Sequence, residues 1–221
     1  HEVSVYEEQD KLGGQFRIAA LPPAKSLLTG PLRFWIQEGK KQGVRYLTNT
    51  AVTKELVEQE HPDVVILATG ARQTKPAIEG IDGKNVFMAN DVLEGRAVVG
   101  RNVLIAGAGL VGLETADFLR ERAGRKSTLI DMVPAINYGV LGVGTHLKAR
   151  LDANDTRYIL NASIIRFTEH GVVYRQGESE KTVEGFDSII IAMGSRSYNP
   201  LEAELKDLDC EVYVIGDASQ A

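Results

Sequence analysis

Residues 1–7, His-Glu-Val-Ser-Val-Tyr-Glu, alternate as a half-buried strand does. A loop is predicted from Leu12 to the paired Pro22 and Pro23, then a helix from Pro31 that carries Leu32, Trp35 and Ile36 on one face until Gly43 stops it. Shorter elements follow, a strand over 44–47 and a helix over 52–60. Residues 63–68 are a nearly continuous, β-branched apolar run closing on Thr69 and Gly70, the pattern of a strand buried on both faces of a parallel sheet. Positions 71–100 are polar and turn-rich, with Pro76, Gly80, Asp82-Gly83 and Gly95, and predict a domain crossing near 96–100.

A new strand over 102–106 leads through glycines into a helix over 110–121, whose apolar face includes Leu110, Leu113, Ala116 and Leu119. The next strand, 127–130, ends at Asp131. Strand, glycine turn, helix, strand is the mononucleotide-binding unit, so the predicted fold class is α/β, a Rossmann-like three-layer domain on a parallel sheet. Gly139, Gly142 and Gly144 mark the entry to a second helix over 145–154, and 157–160 returns to the sheet. Residues 164–167 and 172–175 read as a hairpin around Glu169-His170-Gly171, with a third strand at 181–183 completing a small antiparallel β-meander. A second buried run, 187–192, closes on Met193 and Gly194 and repeats the layout of 63–70 at a distance of 124 positions. Two related nucleotide-binding domains would leave that echo.

The sharpest chemical signal is Gly107-Ala108-Gly109-Leu110-Val111-Gly112. Gly107 permits the tight turn, Gly109 lets backbone approach a pyrophosphate, and Gly112 lets the helix lie close to the sheet. The pyrophosphate would sit at the helix N-terminus, where free amides and the helix dipole favour negative charge. Asp131 follows Gly107 by 24 positions, as an acceptor for ribose hydroxyls should. A carboxylate repels a 2′-phosphate, and Met132-Val133 supply no arginine to bind one, which favours NADH over NADPH; nearby Arg120, Arg122, Arg125 and Lys126 weaken that argument. No Gly-Lys-Ser/Thr ending is present, which argues against a P-loop triphosphate site.

Composition narrows the chemistry further. The net charge of −5 leaves no basic surplus for nucleic acid, and no apolar stretch approaches the 18 residues of a membrane span. The single cysteine, Cys210, reads as a buried or incidental thiol; it cannot form an internal disulfide, a Cys-x-x-Cys pair or a metal centre alone, so redox chemistry requires a bound cofactor and no metal is expected. His61, His146 and His170 have no spaced nucleophile or ligand partner and read as solvated or capping residues, and Tyr138 as a surface aromatic. The absence of a signal peptide predicts a cytoplasmic protein. The chain opens at His1 directly before a strand, without an initiator Met, and closes on a Gly-Asp turn, so it reads as a piece of a longer polypeptide.

Gly107-x-Gly109-x-x-Gly112-x-Glu114, Ala68-Thr69-Gly70, Ala192-Met193-Gly194 and Ile215-Gly216-Asp217-Ala218 together resemble the flavin-dependent pyridine nucleotide oxidoreductases. Leu12-Gly13-Gly14-Gln15-Phe16-Arg17-Ile18-Ala19 narrows the resemblance to the C-terminal region of the 2,4-dienoyl-CoA reductase, trimethylamine dehydrogenase and 2-enoate reductase family. That resemblance implies an FAD-type domain, 1–96 and 196–221, interrupted by an NAD(P)-binding domain, 97–195. Glu7 would then hold the adenosine ribose of FAD, with Gly13, Gly14, Gln15, Ala68, Thr69, Gly70, Gly216 and Asp217 along the same cofactor. NAD(H) or NADP(H) would lie on Gly107, Gly109, Leu110, Val111, Gly112, Asp131, Ala192 and Gly194, with Glu114 near the nicotinamide. The resemblance implies that the family's first strand and phosphate loop would precede His1, as would the barrel that carries FMN, a 4Fe-4S cluster and the substrate pocket.

The implied parent is an enzyme passing hydride from NAD(P)H to FAD for reduction of an enoyl-type substrate; whether the fragment alone is one stays open. The alternative is a non-catalytic ADP-binding module of an amine dehydrogenase-like flavoprotein. Its partners would be the nucleotide cofactors and the barrel of the same polypeptide, with no nucleic acid and no membrane, and homo-oligomer formation is left open.

Overall fold

The computed structural model describes residues 1–136 and 143–221, so Tyr138, Gly139 and Gly142 lie outside the described residues. The chain begins with β1 (Ser4–Tyr6), α1 (Gly14–Ala19), α2 (Thr29–Lys41), β2 (Arg45–Leu47), α3 (Lys54–Glu60), β3 (Val64–Leu67) and β4 (Ala71–Gln73). Next come β5 (Val86–Met88), α4 (Ala89–Leu93), β6 (Asn102–Ala106), α5 (Leu110–Ala123), β7 (Lys126–Ile130), α6 (Val143–Asp152) and β8 (Arg157–Ile159). The remainder holds β9 (Ala162–Phe167), β10 (Gly171–Gln176), β11 (Ser179–Glu184), β12 (Ser188–Ile191), β13 (Ser195–Ser197) and β14 (Glu211–Val214).

Two compact units result. One comprises Leu21–Ala24 and Gln73–Gly194, the other His1–Ala20, Lys25–Arg72 and Ser195–Ala221. The sequence placed the first crossing near residue 96. In the structure Gln73 already belongs to the Gln73–Gly194 unit, because β5 pairs in parallel with β12 and Ala89, Val92 and Val99 are buried in the core under β6 and β12. The turn-rich composition of 71–100 concealed these short elements.

The Gln73–Gly194 unit is an α/β domain of three layers. Its central sheet is parallel throughout, ordered β5-β12-β6-β7-β8. Period-two alternation sorts the buried strand residues between two faces. Val103, Ile105, Leu129 and Ile190 pack with Leu113, Ala116, Leu147 and Leu151 of the helices. Leu104, Ala106, Ile130, Ile189 and Ile191 pack with Phe167, Val172 and Tyr174 of the antiparallel sheet β11-β10-β9, the predicted meander. Each fully buried Leu or Ile contributes about 1.5–3 kcal/mol, which makes this sheet the rigid base of what lies at its edge. α5 ends at Gly124, whose left-handed φ of +57° lets its N–H bond the Arg120 carbonyl.

α6 is pinned to α5 by an ion pair. Asp117 is fully buried, and its carboxylate accepts Arg150 Nη2 at 2.6 Å and Arg150 Nε at 3.4 Å, with Arg120 Nη2 at 3.6 Å. The hydrogen bond to Asp117 raises the Arg150 guanidinium pKa above its ordinary value.

The other unit holds two parallel pairs, β1 with β2 and β3 with β14, and a small core of Val57, Leu67, Leu201 and Leu205. Here β3 departs from expectation. Val64 and Ile66 are 47% and 61% exposed, because only the Val65 and Leu67 face is packed. α1 also replaces the predicted loop, since the prolines that break the chain come after Ala19. His61 takes the expected capping role, closing α3 in the left-handed region with its N–H on the Val57 carbonyl. Among the described residues, no helix is long and apolar enough to cross a membrane and no cluster of ligands could hold a metal ion.

Candidate nucleotide-binding site

In the five-stranded sheet, β6 has β7 on one side and β12 on the other. The chain therefore winds outward in opposite directions from β6, and open α/β sheets bind ligands in the crevice this creates at the carboxyl ends of the strands. Register sets Ala106 beside both Ile191 and Ile130, so the three strand ends lie level. A shallow cleft lined by Asn85, Val98, Gly100, Thr168 and Asp187 lies at the amino ends instead, away from that crevice.

The glycines after β6 separate into two kinds. Gly107 has φ +113°, and a Cβ there would stand 2.2 Å from the Ala192 carbonyl oxygen. One on Gly112 would stand 2.0 Å from the Gly107 carbonyl oxygen. The chain's own backbone excludes a side chain at both positions. Among the described residues, nothing lies within 4 Å of a Cβ placed on Gly109. Its openness answers to no packing demand and leaves room in front of α5, whose first-turn N–H groups have no carbonyl within the helix to bond. Leu110 and Val111, 41% and 40% exposed, stand on that turn.

The Asp131 carboxylate turns toward the loop. One oxygen accepts the Ala108 N–H at 2.6 Å and the other the Val133 N–H at 3.3 Å. Its backbone is fixed as well, since its N–H donates to the Ile159 carbonyl and its carbonyl accepts the Ala162 N–H. The loop and the acid, separated by 24 positions in sequence, are thus in direct contact. On the other side, Ala192 N–H donates to the Ala106 carbonyl, and Gly194, at φ +82°, accepts the Thr74 N–H. Glu114 is buried on α5, one turn beyond Leu110.

The four cations that weakened the case for NADH lie at the far end of α5 or beyond it. Arg125 Nε donates to the Val99 and Gly100 carbonyls, Arg120 engages Asp117 and Asn154, and Arg122 sits over the Phe118 ring. Lys126 opens β7 at its amino end, while Asp131 follows the other end of that strand. Met132, 69% exposed, follows the acid.

The residues aligned with FAD all lie in the other unit. A Glu7 carboxylate oxygen accepts the Gln9 N–H at 2.9 Å. Gly13, at φ +108°, precedes the six-residue α1, and Gln15 Nε2 comes within 3.4 Å of the Cβ position of Gly70. Gly70 has φ +72°, as its counterpart Gly194 has +82°. Thr69 Oγ1 donates to the Tyr198 carbonyl, and Gly216, Asp217 and Ala218 form a single short turn after β14. Among the described residues of this unit, no strand leads through glycines into a helix of comparable length to α5. Ala108, which supplies the amide under Asp131, was not singled out from the sequence; the variable position of a Gly-x-Gly carries no side-chain signal. Nor does any short-range pattern pair Asp117 with Arg150, 33 positions away.

The family described as pyridine nucleotide-disulphide oxidoreductase matches residues 37–219. Cinnamate reductase of Clostridium sporogenes is 32% identical over 233 residues, covering 100% of this chain and 33% of the relative. NADH oxidase of Thermoanaerobacter brockii is 31% identical over 230 residues, covering 99% of this chain and 34% of the relative. A solved structure of 2-naphthoyl-CoA reductase with 2-naphthoyl-CoA superimposes with a TM-score of 0.91 at 26% identity, covering 100% of this chain and 34% of that one. The chain spans about a third of the length of these curated relatives. They bear out the resemblance drawn from the glycine loop and the Leu12–Ala19 segment.

Proposed function

Since the chain belongs to the pyridine nucleotide-disulphide oxidoreductase family, we propose that its Gln73–Gly194 unit holds NADH by the loop after β6. The observation that carries this reading is the pairing of an unobstructed Gly109 with a carboxylate already turned to the loop, Asp131 on the Ala108 amide. Bound there, NADH supplies a hydride equivalent. The chain's own residues bind and orient. The Leu110 and Val111 amides receive the pyrophosphate, aided by the dipole of the 14-residue α5. Asp131 exchanges its amide partner for ribose hydroxyls, and the exposed faces of Leu110 and Val111 become covered. Gly112 and the Ala192–Gly194 strand end set how deeply the dinucleotide sits, and Glu114 lies toward its nicotinamide end. Met132 beside Asp131, and the engagement of Arg120 and Arg125 elsewhere, support NADH over NADPH.

In the longer polypeptide the hydride would pass to FAD and onward to an enoyl-type substrate, a reading supported by the cinnamate reductase and 2-naphthoyl-CoA reductase relatives. With one cysteine in the chain, the disulphide chemistry in the family's description has no dithiol here. Titrating the chain with NADH, NADPH and ADP tests the assignment. NADH should bind most tightly; ADP binding as tightly as NADH would show that the nicotinamide contributes nothing and return the reading to a non-catalytic adenine nucleotide module.

A further inference from the structure

We propose that Gln176 is a positioning residue for the nucleotide site: from the antiparallel sheet it braces the corner between β8 and β9, and that corner sets the angle at which the Asp131 carboxylate meets a ribose. The proposal rests on the NADH reading above. It adds a residue whose own hydrogen bonds reach neither Asp131 nor the glycine loop.

Asp131 needs its main chain held. Its carboxylate has to leave the Ala108 amide for ribose hydroxyls, and a side chain that changes partners aims only as well as the backbone beneath it. Three backbone hydrogen bonds supply that hold, all to the short stretch 159–162. Asp131 N–H donates to the Ile159 carbonyl at 3.0 Å, Asn161 N–H to the Val133 carbonyl at 3.0 Å, and Ala162 N–H to the Asp131 carbonyl at 2.9 Å. Val133 in turn gives its own N–H to the second carboxylate oxygen of Asp131 at 3.3 Å. Once ribose displaces Ala108, that bond keeps the carboxylate turned, and Asn161 keeps Val133 in place.

The corner does not hold itself. Leu160 and Asn161 belong to neither sheet, and Asn161 has φ +53°. Asparagine tolerates this left-handed conformation better than most residues, and it persists where the surroundings enforce it. The enforcement comes from β10. Gln176 lies opposite Ala162 across the antiparallel ladder, and its Nε2 donates to the Leu160 carbonyl at 2.8 Å. Its Oε1 accepts Lys181 Nζ at 2.8 Å. An ammonium only donates, so this contact fixes which end of the amide faces Leu160. The carbonyl in the break between two ladders is thereby tied to a strand anchored by the buried Val172, Val173 and Tyr174. The antiparallel sheet thus serves the site as well as covering the parallel one.

A double-mutant cycle tests this. NADH is titrated calorimetrically into the wild-type chain, Gln176→Met, Asp131→Ala and the double variant, with a thermal melt of each. Methionine keeps the length of the side chain and removes the donor. Loss of one intramolecular hydrogen bond corresponds to roughly a 2- to 12-fold change in an equilibrium constant. Gln176→Met should therefore weaken NADH by that factor where Asp131 is present and leave the affinity unchanged in the Asp131→Ala background, while shifting the melting temperature equally in both. Wild-type affinity in Gln176→Met would overturn the proposal. So would the same fold-loss in both backgrounds, which would show Gln176 supporting the fold and not the acid. If the wild-type chain fails to bind NADH, or Asp131→Ala binds it undiminished, the NADH reading itself falls and the proposal with it.

Discussion

Replacing Gly109 by Ala should separate ligand recognition from folding, and replacing Gly112 should not. Gly109 has φ −75° and ψ −176°, extended backbone that Ala adopts without strain, and its added methyl would meet none of the described residues within 4 Å. Ala at this helix N-cap costs about 0.5–1 kcal/mol relative to Gly, while stiffening of the unfolded chain returns about 0.4–1 kcal/mol. The two nearly cancel, so the melting temperature should move by no more than about 4 °C. The methyl nevertheless stands where the pyrophosphate must approach. Loss of one charge-assisted hydrogen bond, about 1.5–3 kcal/mol, weakens NADH binding roughly 10- to 150-fold. Gly112→Ala drives a methyl to 2.0 Å from the Gly107 carbonyl oxygen, a backbone atom. Such overpacking costs about 1–3 kcal/mol, roughly 2–12 °C in a domain of this size, and binding falls with it as Gly107 shifts. Isothermal titration with NADH, paired with thermal melts by circular dichroism, reads both quantities. A Gly109→Ala chain that binds NADH with wild-type affinity would refute the reasoning, as would one that melts like Gly112→Ala.

Asp131→Ala removes the ribose acceptor and should weaken NADH at least tenfold while narrowing the NADH to NADPH ratio; a ratio unchanged in parallel titrations would mean the carboxylate does not read the ribose. Arg150→Met leaves the buried Asp117 carboxylate with Arg120 alone and should destabilise the chain by about 2–3 kcal/mol in urea unfolding. Asp117→Leu should cost less, since the half-exposed Arg150 head can return to water, and the reverse order would contradict this account of the clamp. Asp187 accepts the Asn102 and Arg101 amides, which hold its carboxyl pKa below the ordinary value, the Asn102 bond most strongly. Its contribution is therefore present above about pH 4 and is lost as pH falls from there through the lowered folded value. Asp187→Asn should flatten the acid arm of the melting temperature against pH, and an unchanged arm below pH ~4 would show that the paired amides do not matter.

Much of the Gln73–Gly194 unit was legible because its signals are local. The run from Asn102 to Gly112 states strand, turn and helix in adjacent residues, and the buried strand at Ser188–Ile191 announces itself by uninterrupted isoleucines. The position of Asp131 followed from helix length and strand length alone. Less legible were features set by partners far away in sequence. Val86, Phe87 and Met88 look like an incidental apolar triplet until β12 pairs with them, so the boundary near residue 96 was set too late. The apolar run at 63–68 has the same layout as the run at 187–192, yet Val64 and Ile66 are exposed where Ile189 to Ile191 are buried, because burial depends on what covers a strand and not on the strand itself. The arginines near 120–126 looked close to Asp131 in sequence, but fourteen helical residues carry them to the other end of α5.

The central claim is that the bend after β6 receives a pyrophosphate and Asp131 grips the neighbouring ribose. A crystal structure of the chain with NADH tests it most directly. The account predicts the pyrophosphate within hydrogen-bond reach of the Leu110 and Val111 amides, and both adenosine ribose hydroxyls about 2.7 Å from an Asp131 carboxylate released from Ala108. Density for the dinucleotide away from that bend, with Asp131 still on the Ala108 amide, would contradict it.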